Sequence, residues 1–136
     1  MSRNLLLYGA LLFSVFATAA VAADDWDTCN NYEQPQKAMK ACTAMIRAGT
    51  YEPMSHVYAA RGIAYWWLKR YDSAIADFDQ CLRLEPKDSI CFGQRGMVHK
   101  LKGNRAQALT DLQTAVALDP NNQTAVHELE KLRSGN

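Results

Sequence analysis

Cys29, Cys42, Cys81 and Cys91 are the residues of this 136-residue chain whose chemistry and spacing constrain it first. A thiol can attack, bind a metal or pair with a second thiol, and spacing decides among these. No C-x-x-C occurs, so a thioredoxin-type exchange reaction has no support. His56, His99 and His127 are the three histidines. None stands at zinc spacing from a cysteine, no H-E-x-x-H is present, and neither G-x-S-x-G nor a phosphate-cradling glycine loop occurs. No metal and no cofactor is therefore expected. Asp72, Asp77 and Asp79 follow one another closely, and their spacing reads as a solvated face rather than an acid facing a base. Without a constellation of nucleophile, base and oxyanion donor, the expectation is that this is not an enzyme. What remains for the cysteines is disulfide formation. Four allow three pairings. The local set, Cys29–Cys42 and Cys81–Cys91, is favoured; at the second pair the alternative is a buried free Cys81 acting as a small hydrophobe. A Cys29–Cys42 bridge would pin a weak N-terminal end and stabilise by roughly 2–3 kcal/mol.

Disulfides persist in oxidising compartments, and the N-terminus carries a matching address. Met1 to Asn4 is short and positively charged, Leu5 to Phe16 is almost unbroken apolar sequence, and Ala17 to Ala23 is rich in small residues. Ala20-Val21-Ala22 fits an A-x-A cleavage site, and Asp24-Asp25 follows. This layout predicts a secretory signal peptide over residues 1–23, with an uncleaved anchor as the alternative. The expected location is periplasmic or secreted. The chain has 15 Lys+Arg against 14 Asp+Glu, and Arg3 lies in the leader, so the processed chain is balanced. A balanced chain lacks the basic stripe that nucleic acid needs and the attraction that draws a protein to anionic lipid. Nothing after the leader is apolar enough to span a membrane.

The elements that must position these side chains follow from an internal repeat. Residues 55–88 and 89–122 align with a period of 34, with Tyr58 over Phe92, Gly62 over Gly96, Tyr65 over His99, Ala74 over Ala108, Phe78 over Leu112, Cys81 over Ala115 and Pro86 over Pro120. A fixed period of this size predicts a stacked array. Gly62 and Gly96 fall mid-helix, where Gly costs roughly 1 kcal/mol against Ala, so a neighbouring helix must approach closely there. Ala74 and Ala108 are small for the same reason, Tyr58, Tyr65 and Phe78 fill the space, and Pro86 and Pro120 end helices. Helices are predicted over Pro35–Arg47, Ser55–Lys69, Tyr71–Leu84, Ser89–Lys102, Arg105–Leu118 and Gln123–Arg133. Residues 24–54 read as a degenerate first repeat, in which Ala38 takes the slot of Ala74 at a spacing of 36 and a linker two residues longer absorbs the difference. Residues 123–136 read as a capping helix and tail, with Val126, Leu129 and Leu132 inward and Glu128, Glu130 and Lys131 in water.

Tyr58-x-x-Arg61-Gly62-x-x-Tyr65, then Ala74-x-x-x-Phe78, then Pro86, resembles the tetratricopeptide (TPR) pattern, with Tyr for Trp and Arg for Leu at its start. The resemblance implies an all-α, right-handed solenoid of antiparallel helix pairs that acts by docking a protein or peptide. It also implies an exported bacterial TPR-like protein, since such proteins carry a Cys in the lead segment and another in a stretch like Ala41-Cys42-Thr43. In TPR arrays the first helix of each pair lines the concave groove. That places His56, Ala59, Ile63, Trp66 and Trp67 on the groove, then Ile90, Gly93, Met97, Lys100 and Leu101, then His127 and Lys131 from the cap. Trp66 is expected to be core or mixed and Trp67 at least partly exposed. TPR domains that clamp a C-terminal carboxylate use Asn and basic residues, and Ile63 and Met97 stand where the key Asn would be. The rival class is a self-associating structural component of the cell envelope.

Overall fold

The structure, a computed structural model, describes residues 25–49 and 51–135. The expected signal peptide lies outside the described residues. After a helical turn over residues 25–29 come α1 (Pro35–Ala48), α2 (Met54–Trp67), α3 (Tyr71–Leu84), α4 (Ser89–Leu101), α5 (Arg105–Leu118) and α6 (Gln123–Ser134). No strand occurs among the described residues.

Local chemistry fixes the ends of these helices. Pro35 opens α1, where its missing N–H costs nothing. Gly49 closes it at φ 63°, donating its N–H to the Met45 carbonyl at 3.0 Å. The Asp88 carboxylate caps α4, accepting from the N–H groups of Ile90 at 2.8 Å and Cys91 at 2.9 Å. Asn122 caps α6 by accepting from the Ala125 N–H at 3.1 Å. The chain leaves α2 at Leu68, earlier than expected, because Lys69 takes a positive φ of 57° where the equivalent turn has Gly103.

Consecutive helices pack against one another, and α4 also touches α2 and α6. The second helices of the pairs, α1, α3 and α5, do not touch each other. First helices close together and second helices splayed apart make a curved stack, with α2, α4 and α6 on the inside.

Each pair repeats the same packing at the same helical positions. Ala38, Ala74 and Ala108, each the fourth residue of its helix, are fully buried. The eighth residues are Cys42, Phe78 and Leu112, also fully buried. Phe78 lies against Gly62 and Leu112 against Gly96, so closely that a Cβ built on either glycine falls 2.8 Å from Phe78 Cε1 or 2.9 Å from Leu112 Cγ. In the first pair Cys42 meets Cys29 in a disulfide with Cα atoms 4.8 Å apart. The eleventh residues serve the junctions between repeats. Met45 shares a cluster with Val57, Ala115 shares one with Ala125, and Cys81 is joined to Cys91 with Cα atoms 6.5 Å apart. Both local disulfide pairings are thus the ones present. Both extra residues behind the spacing of 36 between Ala38 and Ala74 fall between the end of α1 and Ser55, and Met54 among them is the first residue of α2.

Two charged forks tie the pairs together. Arg61 donates from Nε and Nη2 to the Asp77 carboxylate, both at 2.7 Å, and from Nη1 to Thr43 Oγ1 at 3.1 Å. Arg95 repeats this with Asp111 at 2.8 and 2.7 Å and with Asp79 at 2.6 Å. Asp77 is therefore buried in an ion pair, not on a solvated face as its spacing suggested, whereas Asp72 and Asp79 are exposed. Burial pushes the Asp77 carboxyl up against the pull of the Arg61 fork, and the same hydrogen bonds hold the Arg61 and Arg95 guanidiniums above their ordinary value. On α6 the buried stripe is Ala125, Leu129 and Leu132, with Val126 half-buried; Glu128, expected in water, is half-buried too.

Gly96→Ala is expected to lower stability by about 1–3 kcal/mol through overpacking, more than it gains in helix propensity. Gly62→Ala should cost less. It meets only the edge of the Phe78 ring, whereas Gly96 faces the Leu112 branch point and the Leu112 backbone N at 3.2 Å. Urea unfolding midpoints check this; a Gly96→Ala protein as stable as its parent would contradict the close approach.

Candidate functional site

The inner face is built from residues one repeat apart on α2, α4 and α6. Three rows cross it. The middle row is Ile63, Met97 and Lys131, the next Trp66 and Lys100, and the outermost Trp67 and Leu101. Ile63 and Trp66 are half-buried, resting on the cluster of Ala74, Phe78 and Cys81. Trp66 and Trp67 touch with ring centroids 5.0 Å apart at a tilt of 46°. Trp67 is 55% exposed and Leu101 52%, while Ile90, near the start of α4, is 60% exposed. Large apolar side chains this exposed on one face are what an interaction surface offers. Met97 is half-buried, and His56 and His127 are exposed.

Two expected groove residues turn away from this face or are already engaged. Gly93 is buried, and a Cβ there would meet Asn122, Ala125 and Ala115 at 3.5–3.8 Å, so it serves the junction with α6. Lys100 holds Glu128 of α6 at 2.6 Å, and Lys131 lies 3.8 Å from the other oxygen of the same carboxylate. The pairing anchors α6 to α4. Burial pushes the Glu128 carboxyl up, but the bond to Lys100 with the charges of Lys100, Lys131 and His127 outweighs it and holds the group below its ordinary value. Arg105 adds a second anchor by donating to the Leu132 carbonyl.

Away from the inner face, His99 fills the slot of Tyr65 and is half-buried, with its Nδ1 3.4 Å from Asn104 Nδ2. Burial pushes its imidazole down. It edges a shallow hollow of about 300 Å³ with Arg95, Gln107, Thr110 and Asp111, and a second hollow of about 260 Å³ lies beside Asp27 and Lys37. Both are open, and neither touches the rows above. Cys81, Asp88 and Cys91 converge closely enough for a metal, but the two sulfurs are bonded to each other and offer no thiolate. The forks of Arg61 and Arg95 and the Glu128 anchor lie between helices, where the periodicity of a single helix gives no sign of them. The available signal was an Arg followed 16 residues later by an Asp in both repeats.

Family models described as tetratricopeptide repeat match residues 56–88 and 91–122. Cellulose synthase operon protein C of Escherichia coli K12 is 45% identical over 47 residues, 35% of this chain and 4% of that protein. Heat shock protein STI1 of Saccharomyces cerevisiae is 28% identical over 115 residues, 84% of this chain and 18% of its own length. The chain thus spans a small part of these relatives. The second TPR domain of human RPAP3, solved in complex with an HSP70 peptide, superposes with a TM-score of 0.73 at 28% identity, covering 85% of this chain and 97% of that domain. The Arabidopsis OM64 TPR domain gives 0.75 at 21% identity over 86% and 98%, a likeness of fold.

The sign of the Glu128 shift sets a pH dependence. A carboxyl held below its ordinary value contributes stability above about pH 4.5, its unperturbed value, and loses it as pH falls through the folded value. Protection factors across residues 123–134, referenced to the intrinsic exchange rate at each pH, are expected to fall between pH 6 and pH 3. Glu128→Gln should show low protection factors already at pH 6 and a flatter profile. Equal protection in parent and variant at pH 6 would contradict the anchor.

Proposed function

Starting from two tetratricopeptide repeats at residues 56–88 and 91–122, we propose that this chain is a non-enzymatic docking module that binds a protein or peptide across α2, α4 and α6. The observation that carries the reading is the exposure of Trp67, Leu101 and Ile90 on α2 and α4; the other exposed large apolar side chains, Leu84 and Leu118, are less exposed and stand singly at the ends of α3 and α5. The RPAP3 domain, similar over nearly its whole length, was solved with a peptide, which supports a peptide or protein partner here. Ile63 and Met97 make the centre of this face apolar, so van der Waals contact with apolar side chains supplies most of the affinity.

The same proposal places the module outside the cytoplasm, in the periplasm or secreted. Its support is the signal-peptide layout of residues 1–23 and two buried disulfides in a short chain.

Replacing Trp67 with a photoreactive residue and irradiating intact cell envelopes tests the reading. The expected product is a discrete adduct to one foreign protein, with none from a probe at the exposed Thr110 on α5. An adduct to its own chain would favour self-association. Adducts from position 110 and none from position 67 would overturn the inner-face reading.

A further inference from the structure

Beyond protein docking, we propose that one edge of the array rests on an anionic phospholipid surface, with Trp67 and Leu101 entering the headgroup layer and the cations around them pairing with phosphates. Trp67 is the last residue of α2 and Leu101 the last of α4. They stand one repeat apart, at the edge where α2, α4 and α6 end and α3 and α5 begin. Two contacts show that these ends lie side by side. Lys102, just after α4, pairs with Asp72 at the start of α3, and Arg105 at the start of α5 donates to the Leu132 carbonyl near the end of α6.

Charge is segregated between this edge and the opposite one. Lys69, Arg70, Lys102, Arg105 and Arg133 are all exposed here, and the carboxylate beside them, Asp72, is already held by Lys102. Glu130 and Lys131 offset each other further back on α6, as do Glu33 and Lys37 around the start of α1. The opposite edge also exposes apolar side chains, Leu84, Ile90 and Leu118, but there Glu52, Glu85, Asp88 and Asp119 outnumber Arg47, Arg83 and Lys87. An anionic surface therefore attracts the first edge and not the second, a difference that the balanced charge of the whole chain conceals. A tryptophan and a leucine ringed by Lys and Arg suit a membrane interface, where the apolar groups settle among the headgroups and the long basic side chains reach phosphates. An extended polyanion would pair the cations and leave Leu101 in water, so a lipid surface fits this edge better.

Co-sedimentation with vesicles of phosphatidylcholine, alone or mixed equally with phosphatidylglycerol, tests this on the chain starting at Asp24. The three core clusters lie between Trp26 and Leu132, so that chain keeps them and lacks the apolar leader. It is expected to bind the anionic vesicles alone, with a blue shift of its tryptophan emission. Lys69→Glu with Arg133→Glu should weaken binding about ten-fold or more, whereas Arg47→Glu with Lys87→Glu, the same charge change on the opposite edge, should keep it within about two-fold. Trp67→Ala with Leu101→Ala should weaken binding about ten-fold and shrink the emission shift. All six positions are exposed, and circular dichroism verifies that the variants fold. No binding to the anionic vesicles, or equal loss in both charge-reversed proteins, would overturn the proposal. So would a Trp67→Ala, Leu101→Ala protein that binds as its parent does, since the attraction would then be to charge without insertion. The vesicles carry no protein, so such a failure leaves docking by the inner face standing.

Discussion

Arg61 and Arg95 each close a planar fork on an aspartate of the paired helix and extend a third bond to the helix before it. One side chain thus holds three helices: α2, α3 and α1 for Arg61, and α4, α5 and α3 for Arg95. Asp77 and Asp111 are nearly excluded from water, at 4% and 5% exposure. Removing one partner from such a pair leaves a buried charge uncompensated, at a cost of about 3–5 kcal/mol. Aromatic rings complete each site, with the Arg61 guanidinium 5.8 Å from the Tyr58 centroid and 5.7 Å from Tyr65, and Arg95 5.5 Å from Phe92. The forks tie each pair to the helix before it and lie away from the inner rows of α2, α4 and α6. On α6 the corresponding position is Leu129, buried on the last cluster, so the ladder of forks ends where the array is capped.

The first pair lacks a fork of its own, because Ala41 stands where Asp77 and Asp111 stand. Its substitute is covalent. Cys29–Cys42 occupies the place where the other pairs press Phe78 on Gly62 and Leu112 on Gly96. By limiting the unfolded chain over a short loop, such a bridge contributes about 3 kcal/mol. Cys81–Cys91 does the same at the middle junction, where neighbouring junctions rely on Met45 with Val57 and Ala115 with Ala125. A small array near the minimum number of repeats is stabilised by these means, and structural duty on its inner face is confined to Ile63 and Trp66 resting on the core, Gly93 at the junction with α6 and Lys100 holding Glu128. The exposed Trp67 and Leu101 are affordable on that face for this reason.

Much of this was legible in the residue types. A mid-helix glycine opposite a large residue signals close approach, and the 34-residue period placed Gly62, Phe78, Gly96 and Leu112 in register. Helix bounds followed from Pro35, Gly49 and the turns. The charged contacts were not legible, because helical periodicity describes one helix at a time. Asp77 looks solvated beside Asp72 and Asp79; its partner comes from the antiparallel helix 16 residues earlier. Arg61 looked like a loss of the expected Leu, yet it carries the inter-helix fork. Glu128 on α6 was assigned to water for the same reason, since only the juxtaposition of α6 with α4 supplies Lys100. Gly93 was misplaced because its neighbour, Ala125, lies in the next repeat.

The central claim is that the face of α2, α4 and α6 binds and the face of α3 and α5 does not. Amide chemical shifts of the isotope-labelled chain, with and without the purified crosslinking partner, test it most directly. The account predicts perturbations concentrated at Ile63, Trp66, Trp67, Met97 and Leu101 and extending to Lys131, with the exposed residues of α3 and α5 silent. Perturbations centred on Ala76, Thr110 or Ala117, with the inner rows unchanged, would contradict it.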